Sequence, residues 1–441
     1  MKQNIMTRIT GLICCTILSV TPLLVGAGED LDADDARLPL AELQLFAKVF
    51  EQIKSSYVEE LNDKELLEKA IVGLLAELDP HSAFLDADNF EELKEQTSGE
   101  FGGIGIEVEM SGGLIKIISP IDDTPAFRAG IEPGDLILKL NDQSVRGMNL
   151  DSAIEIMRGE KGTTLLLTVA RENNDQPLYF TLTRDIIKIR SVRHRWLEPG
   201  YGYIRIAQFQ NNTGREFKDN LTKLTSAEQA LKGMILDLRN NPGGLLSASI
   251  SVADSLIEDG LIVYTEGRVA ASSNKYFATP GDLLAGIPVV VLINGGSASA
   301  SEIVAGAIQD HRRGVLLGTD SFGKGSVQNV LPLDDERAMK LTTARYFTPG
   351  GRSIQAAGIK PDIEVQKATL PTARKTYELR EKNLSGHLVQ EDNQQSESEV
   401  VGEDDFMAAD NQLYEALNLL KGLDILSHNL SREDEPTGKP D

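Results

Sequence analysis

The chain has 441 residues, 41% of them hydrophobic and 25% charged, enough for two or three domains with substantial cores. Its formal net charge is −23, which excludes an electrostatic drive toward nucleic acid or anionic lipid. Both cysteines, Cys14 and Cys15, lie in the first 27 residues, so the rest of the chain has no disulfide or thiol chemistry.

Residues 1–27 stand apart in composition. Lys2 and Arg8 precede an apolar segment over 11–25, and Val25-Gly26-Ala27 then offers small residues for cleavage. This is the pattern of a secretory signal peptide cut near Ala27, and it predicts a periplasmic or extracellular address. The apolar run is short for a membrane anchor and is broken at Thr21-Pro22. The bulky Ile13 before Cys14 argues against a lipid-modified cysteine.

Helical spacing begins after Pro39, with Leu40, Leu43, Phe46, Ala47 and Phe50 on one face. A second helix is predicted over 63–78 with Asp63 as N-cap. The turn Leu78-Asp79-Pro80-His81-Ser82 contains a histidine with no second histidine nearby, so His81 reads as packing the turn. From Gly99 to Arg184 the character changes. A glycine turn, Phe101-Gly102-Gly103-Ile104-Gly105-Ile106, runs into a strand. Further strands follow over 114–118, 136–140 and 164–171, with a helix over 150–158 that Arg158 is expected to cap, its other reading being to sense a bound carboxylate.

Beyond Asp185, strands are predicted over 201–209 and 233–238 and helices over 214–224 and 245–257. Between the second strand and the second helix lies the turn Arg239-Asn240-Asn241-Pro242-Gly243-Gly244. Residues 265–281 read as polar and irregular. The plan then repeats: a β-branched strand over 288–293, the turn Asn294-Gly295-Gly296, and an apolar-periodic helix. Ser297, Ser299 and Ser301 sit where strand becomes helix. That junction suits a nucleophile, because small neighbours admit a substrate backbone and the free N–H groups of the first helical turn favour developing negative charge.

Lys324 lies between Gly323 and Gly325. On a strand over 324–331, Lys324 and Gln328 would share a face. A lysine acts as a general base only when neutral, which requires its pKa to fall far below about 10.4, and burial does this. A neighbouring glutamine can hold the amine without adding a charge. Another strand is predicted over 341–347. Residues 390–405 have the acidic, polar composition of disorder. Leu413, Ala416, Leu417, Leu420 and Leu423 form an amphipathic helix, read either as a docking or oligomer contact or as a helix folded onto the chain's own body.

Taken in this order, these motifs resemble the carboxy-terminal processing, or tail-specific, proteases. The resemblance spans 40–365. It implies Ser299, in Gly296-Ser297-Ala298-Ser299-Ala300-Ser301-Glu302, as nucleophile. It implies Lys324 as base, Gln328 as its assistant, and the N–H groups of Gly244 and Ala300 as oxyanion hole. The region 99–184 resembles a PDZ domain, whose carboxylate-capture loop would be Gly103, Ile104, Gly105 and Ile106. The implied fold is a multidomain α+β chain. Residues 1–27 are the signal peptide and 38–98 an N-terminal helical region. The PDZ domain is inserted before or within an α/β crotonase-like (ClpP-like) core at 185–370, and an acidic tail with a short helix fills 371–441. No metal motif such as His-Glu-x-x-His occurs, and no cofactor is implied. The implied partners are proteins with flexible apolar C-termini, a lipoprotein adaptor, and further copies of the chain joined through the helical ends. Two rival readings are a Ser/His mechanism using His311 or His194, and a non-catalytic PDZ scaffold. His311 is predicted at the far end of the helix that starts at Ser299, more than about a dozen ångströms away at ~1.5 Å per residue.

Overall fold

The computed structural model describes residues 38–172, 174, 176–368 and 410–433. The signal segment and the acidic stretch 390–405 lie outside them. The chain divides into two units, 1–71 and 72–441. The first contains α1 (Leu40–Ser56) and the start of α2 (Asp63–Ala76). No residue of α1 is buried. The cap of α2 is Asn62, whose Oδ1 accepts the Glu65 N–H at 2.8 Å. Asp63, expected as the cap, is instead the first helical residue, where its charge suits the positive helix end.

The second unit begins within α2 and continues into the Asp79 turn. Asp79 Oδ1 accepts the N–H groups of His81 and Ser82, and Oδ2 accepts the Ser82 hydroxyl. Strand β1 (Ala83–Leu85), helix α3 (Ala87–Ser98) and strand β2 (Glu100–Gly103) follow. A separate sheet is then built from β3 (Ile106–Ser111), β4 (Leu114–Pro120), β5 (Leu136–Leu140), β6 (Gln143–Ser144), β7 (Thr164–Ala170) and β8 (Leu178–Thr183). Two helices pack with it, α4 (Pro125–Arg128) and α5 (Leu150–Met157). Alternating apolar residues, Ile115 and Ile117, then Leu165, Leu167 and Val169, close its core. The chain leaves through β9 (Asp185–Lys188), which pairs antiparallel with β2.

Arg184, just before that exit, is buried and donates to the carbonyls of Ile156 and Met157 at the end of α5. It therefore performs the capping expected of Arg158. Arg158 instead reaches across to Glu95 on α3 and lies over the Phe101 ring.

The remaining strands form two sheets. The central one runs β10 (Val192–Glu198), β11 (Tyr201–Ile206), β12 (Gly233–Asp237), β15 (Val289–Ile293), β16 (Val315–Gly318), β19 (Ile363–Glu364), parallel except for β10. Every residue of β12 and β15 is buried, as their continuous apolar runs demand. Helices α6 (Thr213–Thr225), α7 (Leu246–Asp254) and α8 (Ala300–Asp310) cover one face with Phe217, Val252 and Val304. The last helix, α9 (Asn411–Glu433), covers the other, setting Leu413, Ala416, Leu417 and Leu420 on Tyr203, Ile235, Val290 and Leu292. Of the two fates open to α9, it is folded onto its own chain.

The second sheet contains β13 (Gly260–Gly267), β14 (Asn274–Ala278), β17 (Ser326–Pro332) and β18 (Ala338–Phe347). β14 occupies the stretch expected to be irregular, and pairs with β13. β1 completes this sheet by pairing with β18, Ala83 opposite Lys340. The β3–β8 sheet is therefore inserted within the larger body.

Candidate active site

The site forms at the carboxyl ends of the adjacent parallel strands β12 and β15, where ligands gather in open α/β sheets. Two turns leave these ends and are stitched together. Asn240 and Asn294 exchange bonds: Asn240 N–H donates to Asn294 Oδ1 at 2.9 Å, and Asn294 Nδ2 donates to Asn240 Oδ1 at 2.9 Å. The Asn241 carbonyl accepts the Ala298 N–H at 3.0 Å and the Ser301 hydroxyl at 2.9 Å. The Ser297 hydroxyl donates to the Leu238 carbonyl at 2.8 Å. Ser297 and Ser301 are thus structural, both fully buried, and Ser299 is the serine of the cluster whose hydroxyl is not given to the facing turn.

Ser299 adopts φ 55° and ψ −110°, a region that L residues rarely enter. Such strain, of order 1–3 kcal/mol, persists only where surroundings enforce it. Here they do, since the Ser299 N–H donates to Glu302 Oε2 at 2.7 Å. The result is a sharp strand-to-helix elbow like those that expose nucleophiles elsewhere.

Glycine geometry brings the second turn against this elbow. A Cβ on Gly243 would lie 2.9 Å from Ser299 Cβ and 3.0 Å from the Ala300 nitrogen. A Cβ on Gly244 would lie 2.0 Å from the Phe209 carbonyl oxygen. Gly243 thus lets the two turns touch, and Gly244 lets its turn lie against Phe209. Neither the Gly244 nor the Ala300 N–H meets an acceptor among the described residues.

Glu302 joins the elbow to the lysine. Its carboxyl group is fully buried and takes four donors: Ser299 N–H and Lys324 N–H on Oε2, Ser321 hydroxyl and Gly323 N–H on Oε1. The backbones of Ser299 and Lys324 are therefore anchored to one atom. Nothing in the sequence marked Glu302 beyond its place beside the serines.

Lys324 precedes β17 rather than lying on it, so the expected shared face with Gln328 does not arise. Its flanking glycines explain the displacement. Gly323 has φ 91°, and Gly325 passes so close to Gln355 that a Cβ would stand 2.4 Å from its nitrogen. Gln328 donates to the Ser326 hydroxyl at 3.0 Å. Among the described residues, no hydrogen bond joins Lys324 Nζ to Ser299 Oγ or to Gln328. Burial, then the Lys340 cation, pushes the Lys324 amine below its ordinary pKa. His81 stands in the same electrostatic neighbourhood: burial, then the Lys324 cation, lowers its pKa. The two histidines of the rival reading are engaged elsewhere, His311 with the Leu261 carbonyl and His194 with Asn220.

In the inserted sheet, the carbonyl of Ile104 accepts the Ala126 N–H, and that of Gly105 accepts Ile121 N–H and Thr124 hydroxyl. Peptide planarity then turns the N–H groups of Gly105 and Ile106 the opposite way. Gly105 has φ 77°, and a Cβ there would meet Thr124 at 2.3 Å.

The fold and its strained serine elbow fit a serine peptidase that carries an inserted module. Family profiles agree: Peptidase family S41 matches 200–365, PDZ domain 102–182, and Activating protease CtpB N-terminal domain 27–89. A carboxy-terminal-processing protease of Bartonella bacilliformis is 44% identical over 407 residues, 90% of this chain and 93% of the relative. Carboxy-terminal processing protease CtpA of Bacillus subtilis is 34% identical over 384 residues, 86% of this chain and 82% of its own length. Among solved structures, a photosystem II D1 C-terminal processing protease is 30% identical, with TM-score 0.44, covering 75% of this chain and 95% of its own. The chain belongs to peptidase family S41, as a carboxy-terminal processing protease with a PDZ domain.

Proposed function

We propose that hydrolysis runs through a Ser299–Lys324 dyad. Ser299 Oγ attacks the peptide carbonyl while neutral Lys324 accepts its proton. The N–H groups of Gly244 and Ala300 bind the oxyanion, each donor worth about 3 kcal/mol in comparable sites. Collapse expels the amine, which takes the proton back from Lys324 and leaves an acyl-serine, and water then releases the acid. Gln328 positions Lys324. The observation that carries this reading is the anchoring of Ser299 N–H and Lys324 N–H to the same Glu302 oxygen. The two residues thus start from one backbone anchor, from which Nζ and Oγ are to meet. Resting sites commonly tighten in this way when substrate binds.

The loop Gly103–Ile104–Gly105–Ile106 takes the terminal carboxylate of a flexible apolar protein tail, and the body is a crotonase-like core. After cleavage near Ala27 the enzyme works in a periplasm or outside the cell on envelope proteins, with a lipoprotein adaptor as candidate activator. Self-association uses the N-terminal end, where α1 exposes Leu40, Leu43, Phe46 and Val49. The buried face of α9 is not available for it.

The test is cleavage of a tailed protein, with products read by mass spectrometry. Ser299→Ala and Lys324→Ala should each lower kcat by at least about 10³-fold, and Gln328→Ala by about tenfold. Unchanged cleavage by Lys324→Ala would overturn the dyad. No cleavage by the parent enzyme on any tail would favour the scaffold reading.

A further inference from the structure

We infer that Asp410, at the head of α9, is a positioning residue for hydrolysis, acting through Arg239 on the turn that carries Gly244. The inference rests on the oxyanion role proposed above for that turn.

Arg239 is the first residue of the 239–244 turn, and its guanidinium is held on both sides. Nε and Nη2 donate to Asp237 Oδ1 and Oδ2 at 3.0 and 2.7 Å. Nη1 and Nη2 donate to Asp410 Oδ1 and Oδ2, each at 2.8 Å. Nη1 also reaches Gln412 Oε1 at 3.0 Å. This is a planar fork gripped by two carboxylates, the geometry that fixes a guanidinium most firmly. The clamp is largely shut off from water, the Arg239 side chain being 11% exposed and Asp237 fully buried. Burial opposes the charge on Arg239, yet Asp237 and Asp410 hold its pKa above the ordinary value. Burial likewise opposes the charge on Asp410, and Arg239 overrides it.

Docking α9 does not require any of this. Its apolar face is sealed on the sheet. Lys232 and Tyr201 reach Asp424 further along the helix, and Lys421 reaches Glu198. At its start, Asn411 and Gln412 donate to the carbonyls of Gln366 and Val365. The bidentate grip on Arg239 adds a connection to one place only, the turn whose Gly243 abuts Ser299 and Ala300 and whose next residue is Gly244. Asp410 also caps α9, accepting the Leu413 N–H at 3.1 Å.

Asn caps helices as well as Asp does, so Asp410→Asn keeps the cap and removes the second acceptor and the charge. Asp424→Asn loosens the same helix away from the turn and serves as control. On the full chain, kcat, KM, thermal midpoint and the rate of Ser299 labelling by a fluorophosphonate are measured together. The phosphonyl oxygen draws on the same two donors as the oxyanion. Asp410→Asn should lower kcat and the labelling rate by the same factor, about tenfold, less than the 10²–10³ for outright loss of a donor. KM should hold, and Asp424→Asn should keep both rates. Equal kcat losses in the two variants, or full kcat in Asp410→Asn while Ser299→Ala is inactive, would overturn the inference. A Ser299→Ala enzyme that still cleaves, with no labelling of the parent, would instead overturn the dyad and its oxyanion hole.

Discussion

Ser299 and Lys324 are held in place through their backbones, and Glu302 is the residue that holds both. A glutamine at 302 offers one acceptor oxygen where four donors converge, so two would face an amide NH₂. Orphaned buried donors cost about 1–3 kcal/mol each. Glu302→Gln should therefore lose at least about 2 kcal/mol in urea unfolding, and kcat with it. Lys340 supplies a second test at this scale. Its charge disfavours the protonated form of Lys324. Removing it raises the Lys324 pKa, and because the base must be neutral, the acid limb of kcat/KM against pH should move to higher pH in Lys340→Met. A limb that stays put or moves down would separate Lys324 from the titration. Lys324 also bears on stability. Its folded pKa lies below the unfolded value, so between the two the unfolded chain binds more protons and stability rises with pH. Anywhere below the unfolded pKa the folded chain bears a cost for this amine, so Lys324→Met should raise the thermal midpoint at neutral pH.

Two strand–turn–helix units, built alike, set the reacting groups at the scale of elements. Gly243→Ala tests their contact: a methyl within 3.0 Å of Ser299 Cβ and the Ala300 nitrogen must push the turns apart. We expect kcat to drop about 10²-fold, comparable to losing an oxyanion donor. These units were legible in the sequence, because a fully buried strand writes itself as an apolar run and the turns as Asn, Pro and Gly. Less was legible where distant partners decide. β14, Asn274–Ala278, is a short run inside a mostly polar stretch, and it pairs because β13 offers it an edge. Lys324 leaves the strand because Gln355, thirty residues on, crowds Gly325. Arg184 displaces Arg158 as cap through a tertiary contact that no local pattern encodes. The partners of Glu302 come from two separate segments, Ser299 and the stretch 321–324, so four bonds converge on a residue that spacing alone could not single out.

In the larger unit, the central sheet has helices on both faces, and α9 supplies one whole face from the far end of the chain. Leu420 is fully buried there, and a Cβ on Gly233 would lie 3.0 Å from its Cδ2. Leu420→Ala should cost about 2–5 kcal/mol, read by urea denaturation. The seam between β1 and β18 has a further consequence. Ala83 waits for Lys340, and the whole PDZ domain and most of the peptidase body are made in between. Pairing across so long a separation is slow and late. The ribosome therefore emits the nucleophile first, the amine later and the edge of the sheet that receives β1 later still. A growing chain therefore carries both reacting residues before the sheet edge that takes β1 is complete.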